Sequence, residues 1–139
     1  MKIDQAALTE LQAHAAEGYP YEICGMLVAK KGKRTVEETR RATNADVDNP
    51  KTTYLISPKE HSLIEKECDA LGLEIVGYYH SHPDHASYAS IRDTEQAWPD
   101  YYYLVVSVMN GKAGDTKVFY KTSWDAKKML EEQLEVMPR

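Results

Sequence analysis

Apolar positions recur along this chain at two different periods. Between Ile3 and Ala16, Leu8, Leu11 and Ala15 fall at helical spacing, and Gly18-Tyr19-Pro20 ends the run, which predicts a first helix. Cys24 to Ala29 is a short apolar run expected as a buried strand, with Thr35 to Arg41 as the next strand. Asn44 to Lys51 is polar, and Asn49-Pro50 marks a turn. Thr52 to Ile56 has the composition of a further strand. Ser57-Pro58 carries a helix start, serine as N-cap and proline in the first turn, for a helix reaching about Leu71 and closing at Gly72. Leu73 to His82 then predicts a central strand, and Ser90 to Ala97 a short helix stopped by Trp98-Pro99. Tyr101 to Met109, β-branched and aromatic, is the strongest strand signal; Asn110 to Gly114 is a turn and Lys117 to Lys121 the returning strand. From Trp124 to Val136 the pattern is two-sided. Leu130, Leu134 and Met137 suit a helix, while a last edge strand near Gln133 to Val136 also fits. The element order implies an α+β (α/β three-layer) domain with one mixed central sheet flanked by helices, spanning residues 1–139 as a single domain.

Composition adds exclusions. A hydrophobic fraction of 42% is enough for one core in 139 residues. Cys24 and Cys68 are no disulfide framework and lack C-x-x-C spacing, which suggests reduced thiols in a cytoplasmic protein. No apolar run is long enough for a membrane span, and the first residues lack the apolar core of a signal peptide. The net charge of −5 argues against a nucleic-acid binder, and the basic clusters at Lys30–Arg34 and Arg40–Arg41 read as solvated turns and strand edges.

The chemistry concentrates in His80-Ser81-His82-Pro83, followed by Ser90 and Asp93. Side chains alternate along a strand, so two histidines at i and i+2 share one face. With Asp93 folded back they form a two-imidazole, one-carboxylate set, which suits one Zn2+ per chain and leaves the fourth position for water. Ser90-x-x-Asp93 also reads as a capping box, a use that competes with metal binding for the same carboxylate. The spacing from the histidines favours the ligand. With no H-E-x-x-H helix present, a general base has to come from elsewhere. Glu22, at the entry to the Cys24–Ala29 run, is the candidate, although composition alone makes it a solvated edge residue. Cys24 is expected as a small buried residue, and Asp84 and His85 as loop residues near the metal.

Tyr21-Glu22-Ile23-Cys24-Gly25, Gly77-Tyr78-Tyr79-His80-Ser81-His82-Pro83 and Ser90-Ile91-Arg92-Asp93 together resemble the JAMM (MPN+) metalloprotease signature. Asn44, Tyr54–Pro58 and the strand after Trp98-Pro99 add to the likeness, which covers nearly the whole chain. The resemblance implies a cytidine-deaminase-like sandwich and a zinc peptidase or isopeptidase. It implies that His80, His82 and Asp93 hold zinc, that Glu22 is the general acid/base and that Ser90 donates to the oxyanion. Ala89 departs from the proline the family often has there, and the long insertions of polyubiquitin-cleaving members are missing. The compact form looks like prokaryotic members associated with ubiquitin-like sulfur-carrier proteins, from whose Gly-Gly-type tails they release a C-terminal cysteine or a short extension. Such an extended tail is expected to add beside a sheet edge next to the Thr43–Thr53 loop. A homodimer is left open. A non-catalytic scaffold of the same fold is the alternative, but it would lose metal ligands. A zinc nucleoside deaminase would need P-C-x-x-C, which is absent.

Overall fold

The computed structural model describes residues 1–138; Arg139, the end of the expected 1–139 domain, lies outside them. A six-stranded mixed sheet runs in the order β3-β2-β4-β5-β6-β7. Its strands are β2 (Cys24–Lys30), β3 (Glu38–Ala42), β4 (Leu73–Pro83), β5 (Tyr102–Met109), β6 (Lys112–Tyr120) and β7 (Leu130–Glu132). Only β4 and β5 are parallel within it; every other neighbour is antiparallel. A parallel pair needs a crossover, and α3 (Ile91–Gln96) lies within that connection. A separate two-stranded parallel ribbon joins β1 (Lys2–Asp4) to β8 (Glu135–Met137).

Strand alternation divides the core into two layers. Leu27 and Ala29 of β2, and Leu104, Val106 and Val108 of β5, face α1 (Gln5–Gly18), which buries Leu8, Leu11 and Ala15 against them. Met26, Val28, Tyr103 and Val105 point the other way, toward Ile64 and Cys68 of α2 (Pro58–Ala70). This is the expected α+β arrangement, a mixed sheet with helices on both faces. Gly25 leaves room for its cross-strand partner Tyr79, because a Cβ at that position would collide with the Tyr79 ring.

Several elements differ from their sequence expectation. Ile3 belongs to β1, so α1 starts at Gln5; the Ile3 backbone bridges to Val36 and is fully buried. The second strand is shifted, Glu38–Ala42 in place of Thr35–Arg41. Thr52–Ile56 is no strand despite its β-branched composition. Its Leu55 N–H is taken by the Asn44 side chain and its Thr53 carbonyl accepts from the same amide. Asn110 and Gly111, both at positive φ (52° and 84°), make a two-residue turn, so β6 already begins at Lys112. Among the described residues no helix forms after Trp124. Leu130–Glu132 extends the sheet edge, Glu135–Met137 pairs with β1, and the Met1 amine donates to the Gln133 carbonyl at 2.6 Å. No helix among the described residues is long and apolar enough to cross a membrane.

Candidate metal centre and its relatives

Tyr78, His80 and His82 have the same parity on β4, which puts both histidines on the α2 side of the sheet. Both are buried. Their Nε2 atoms stand 3.2 Å apart. Asp93, in the first turn of α3, brings Oδ1 to 3.3 Å from His80 Nε2 and Oδ2 to 3.5 Å from His82 Nε2. The three ligand atoms form a group that could hold a metal ion. Bonds of about 2.0–2.1 Å to a tetrahedral zinc imply ligand–ligand edges of about 3.3–3.4 Å. The two imidazole nitrogens are close to that separation, each has an Asp93 oxygen at 3.3–3.5 Å, and one ligand atom from each residue lies within 4.8 Å of the others, so the donor set fits a small divalent cation in chemistry.

The ring orientations are fixed from outside. His82 Nδ1 lies 2.9 Å from the Ala86 carbonyl, which can only accept, so Nδ1 carries a proton and Nε2 is the ring nitrogen turned toward His80 and Asp93. Tyr54 stacks on His80 at 4.6 Å between centroids and 22° between planes. Sequence reading missed this contact; no local spacing announces it, since Tyr54 comes from the irregular stretch before α2. Burial opposes the Asp93 carboxylate, but bonds from His80, His82 and the Ser90 N–H outweigh it and hold the acid well below its ordinary range.

The capping box and the ligand position were expected to compete for Asp93. Both are present. Ser90 Oγ accepts from the Asp93 N–H and Asp93 Oδ2 accepts from the Ser90 N–H, each at 3.0 Å. Oδ1 makes neither contact and faces His80. Oδ2, the oxygen in the cap, also stands 3.5 Å from His82 Nε2. Ser90 accepts through its oxygen in this cap, which leaves its O–H to donate toward the cleft it lines.

Glu22 is 6% exposed, contrary to the solvated edge residue that composition suggested. It shares a cleft of about 300 Å³ with Tyr54, His82, Ser90, Arg92 and Asp93. Burial lifts its carboxyl to about 8; Asp93 and Asp46 push the same way, while His82 and Arg92 oppose. Its backbone is clamped on both sides. The Glu22 N–H donates to the Pro50 carbonyl at 2.7 Å, and its own carbonyl accepts from Asn44 Nδ2 at 3.1 Å. Asn44 uses its whole amide, donating also to the Thr53 carbonyl at 3.0 Å and accepting from the Asp46 and Leu55 N–H groups. Ser81, between the two histidines, points to the opposite face of β4. There its Oγ accepts from the Ile23 N–H at 2.9 Å. The residue between the histidines thus anchors the segment carrying Glu22, a long-range contact that the H-x-H spacing did not reveal.

Cys24 is buried opposite His80 in the β2–β4 register, and burial pushes its thiol up to about 12, so it is an inert packing group. Asp84 turns away from the metal group. At φ 57° it accepts from the Tyr19 hydroxyl at 2.6 Å and the Asn110 N–H at 2.8 Å, tying the end of β4 to the β5–β6 turn. His85 lines the cleft.

The chain resembles known proteins in sequence and in fold. A desampylase of Haloferax volcanii is 35% identical over 106 residues, covering 73% of this chain and 76% of that protein. The solution structure of a Desulfitobacterium hafniense protein superposes with a TM-score of 0.83 at 25% identity, covering 99% of this chain and 93% of the other. A Salinibacter ruber protein gives 0.76 at 29% identity, with 99% and 92% covered. The crystal structure of a JAB1/MPN domain protein from Archaeoglobus fulgidus shares the fold at a TM-score of 0.63 and 19% identity, with 99% of each chain covered. Residues 4–127 match the model for prokaryotic homologs of the JAB domain, and with nine-tenths of its length inside that match the chain belongs to this family.

Proposed function

We propose that residues 1–139 act as one zinc metallopeptidase domain. It hydrolyses the bond after the Gly-Gly-type tail of a ubiquitin-like sulfur-carrier protein and releases a C-terminal cysteine or a short extension. The observation that carries this reading is the His80–His82–Asp93 triangle with Glu22 buried in the same cleft. His80, His82 and Asp93 would hold one Zn2+, leaving the fourth position to water. Zinc bound there supplies a Lewis acid that polarises the scissile carbonyl and lowers the pKa of water to about 7.

The remaining work belongs to the chain. Glu22 takes a proton from the attacking water and delivers it to the leaving nitrogen as the C–N bond breaks; the water oxygen stays on the acyl carbon. Glu22 is buried in the same cleft as His82, Ser90 and Asp93, which puts its carboxylate where both halves of that transfer take place. Ser90 donates its O–H to the oxygen on which charge develops, and the Asp93 N–H holds that hydroxyl in place. The desampylase likeness supports a ubiquitin-like modifier as substrate. The extended tail would enter beside the loop from Thr43 to Thr53, whose Thr52 and Thr53 line the cleft.

The test measures bound metal together with cleavage of a ubiquitin-like carrier bearing a one-cysteine extension, for wild type and Glu22→Gln. One zinc per chain in both, with release of cysteine reduced by about 10²–10⁴ in Glu22→Gln, is the expected result. Full activity in Glu22→Gln overturns the base assignment. Absence of zinc from metal-replete protein favours the non-catalytic scaffold.

A further inference from the structure

Arg92 stands out in the cleft. The other charged side chains lining it among the described residues are the acids Glu22 and Asp93, together with the imidazoles His82 and His85. Arg92 is exposed and forms no ion pair or hydrogen bond within the described chain, unlike Arg40 and Arg41, which are each held by two glutamates. It follows Ile91 on the first turn of α3, directly before Asp93, so the cap that fixes Asp93 also fixes the backbone that carries it. Its charge reaches Glu22 and Asp46, where it favours the ionised acids. A free guanidinium at the mouth of an active-site cleft is a planar fork with no partner, and a carboxylate is the group such a fork binds in two parallel hydrogen bonds.

Where Arg92 stands decides which carboxylate it meets. In the reading above, Glu22 hands its proton to the leaving nitrogen, so that nitrogen sits beside Glu22. In a released α-amino acid the nitrogen and the carboxylate are separated by a single carbon. In a lysine isopeptide the leaving nitrogen is the ε-amine, four methylenes from the α-carbon, and the α-carboxyl is usually tied up in the next peptide bond.

We infer that Arg92 is a specificity residue that binds the free α-carboxylate of the residue immediately after the scissile bond, making the protein prefer a one-residue C-terminal extension over an isopeptide conjugate. The inference rests on the metallopeptidase reading of the site. It adds the side of the bond at which the substrate is selected. The tail on the acyl side is neutral backbone and gives Arg92 nothing to pair with, whereas the departing residue carries the anion.

The experiment uses the zinc-loaded full chain and two semisynthetic ubiquitin-like carriers, each ending Gly-Gly-Ala, one a free acid and the other a C-terminal carboxamide. Wild type should cleave the free acid with kcat/KM about tenfold above the carboxamide, as one charge-assisted bidentate contact at an exposed site implies. Most of the difference should lie in KM. Arg92→Ala should bring the ratio of acid to amide close to one, and Arg92→Lys should keep part of it, because the charge remains and the fork is lost. Zinc content, checked in each variant, should be unchanged. A ratio identical in wild type and Arg92→Ala overturns the inference. So does an equal fall on both substrates, which would place the anion on the carrier. Zinc-loaded wild type that cuts neither substrate refutes the peptidase reading itself, and the inference falls with it.

Discussion

Ser81→Ala removes one atom from the interior and leaves the shape of β4 intact. Ser81 is fully buried and Ile23 is 8% exposed, so the Ile23 N–H that now donates to Ser81 Oγ at 2.9 Å would lose its partner where water cannot replace it. A buried donor left without an acceptor costs about 1–3 kcal/mol. Deleting the hydroxyl leaves a void smaller than a methyl group, so cavity formation adds little. The reciprocal bond, Ser81 N–H to the Ile23 carbonyl at 3.1 Å, survives and keeps the strands together. The protein should therefore fold, with a urea midpoint lowered by the equivalent of about 1–3 kcal/mol, or a Tm lower by roughly 3–10 °C. The functional consequence is separable from the structural one. His80 and His82 keep their backbone positions, so zinc affinity should change little. Glu22, one residue before the released N–H, loses part of its positioning, and kcat should fall about tenfold or more with KM nearly constant. The assay pairs urea unfolding and metal titration with turnover of the extended carrier. A Ser81→Ala protein with wild-type stability and wild-type kcat would refute the argument that this hydroxyl holds the Glu22 segment.

Asn44→Ala deletes four hydrogen bonds at a half-exposed position. It should cost about 2–4 kcal/mol by thermal unfolding and increase proteolytic cutting between residues 45 and 55 before any loss of global structure. His82→Ala leaves a two-ligand remnant and should lose both zinc and hydrolysis. Zinc at 100 times its Kd should stabilise wild type by about 2.7 kcal/mol in thermal unfolding and His82→Ala by almost nothing. Equal stabilisation of both proteins would remove His82 from the ligand set.

What could be read from the sequence was what depends on neighbours along the chain. His80 and His82 share a face because strands have a period of two, and Ser90 and Asp93 meet across one helical turn. Asp93 reaches the histidines because a β4–α3–β5 crossover returns over the end of the strand it left. Glu22 was different. By composition it belongs on the surface, and only its motif neighbours singled it out; its backbone is held by Pro50 and Asn44, more than twenty residues away. The same loop defeated the strand expected at Thr52–Ile56. Those residues favour a sheet, yet their backbone groups are taken locally: the Thr52 and Thr53 N–H donate to the Asn49 carbonyl, Asn44 holds the Thr53 carbonyl and the Leu55 N–H, and the Leu55 carbonyl accepts from the Ala45 N–H. The helical spacing of Leu130, Leu134 and Met137 was outweighed in the same manner, by the open edges of β6 and β1. Tyr54 and Ser81 touch the site through contacts without any periodic trace.

The cap at Asp93 has a consequence for the order in which the protein is put together. In a domain that folds around its ion, unlinked side chains surrender their freedom when the ion arrives, and metal and fold come and go as one. Here the carboxylate is already fastened by Ser90, and the Ala86 carbonyl has already chosen the tautomer of His82. The rotational entropy was spent when α3 and β4 formed, so little is left to lose on loading. Such a chain is built first and charged afterwards: chelation should empty it without unravelling it, and a cell starved of the ion would accumulate folded, idle protein ready to be switched on by the ion alone.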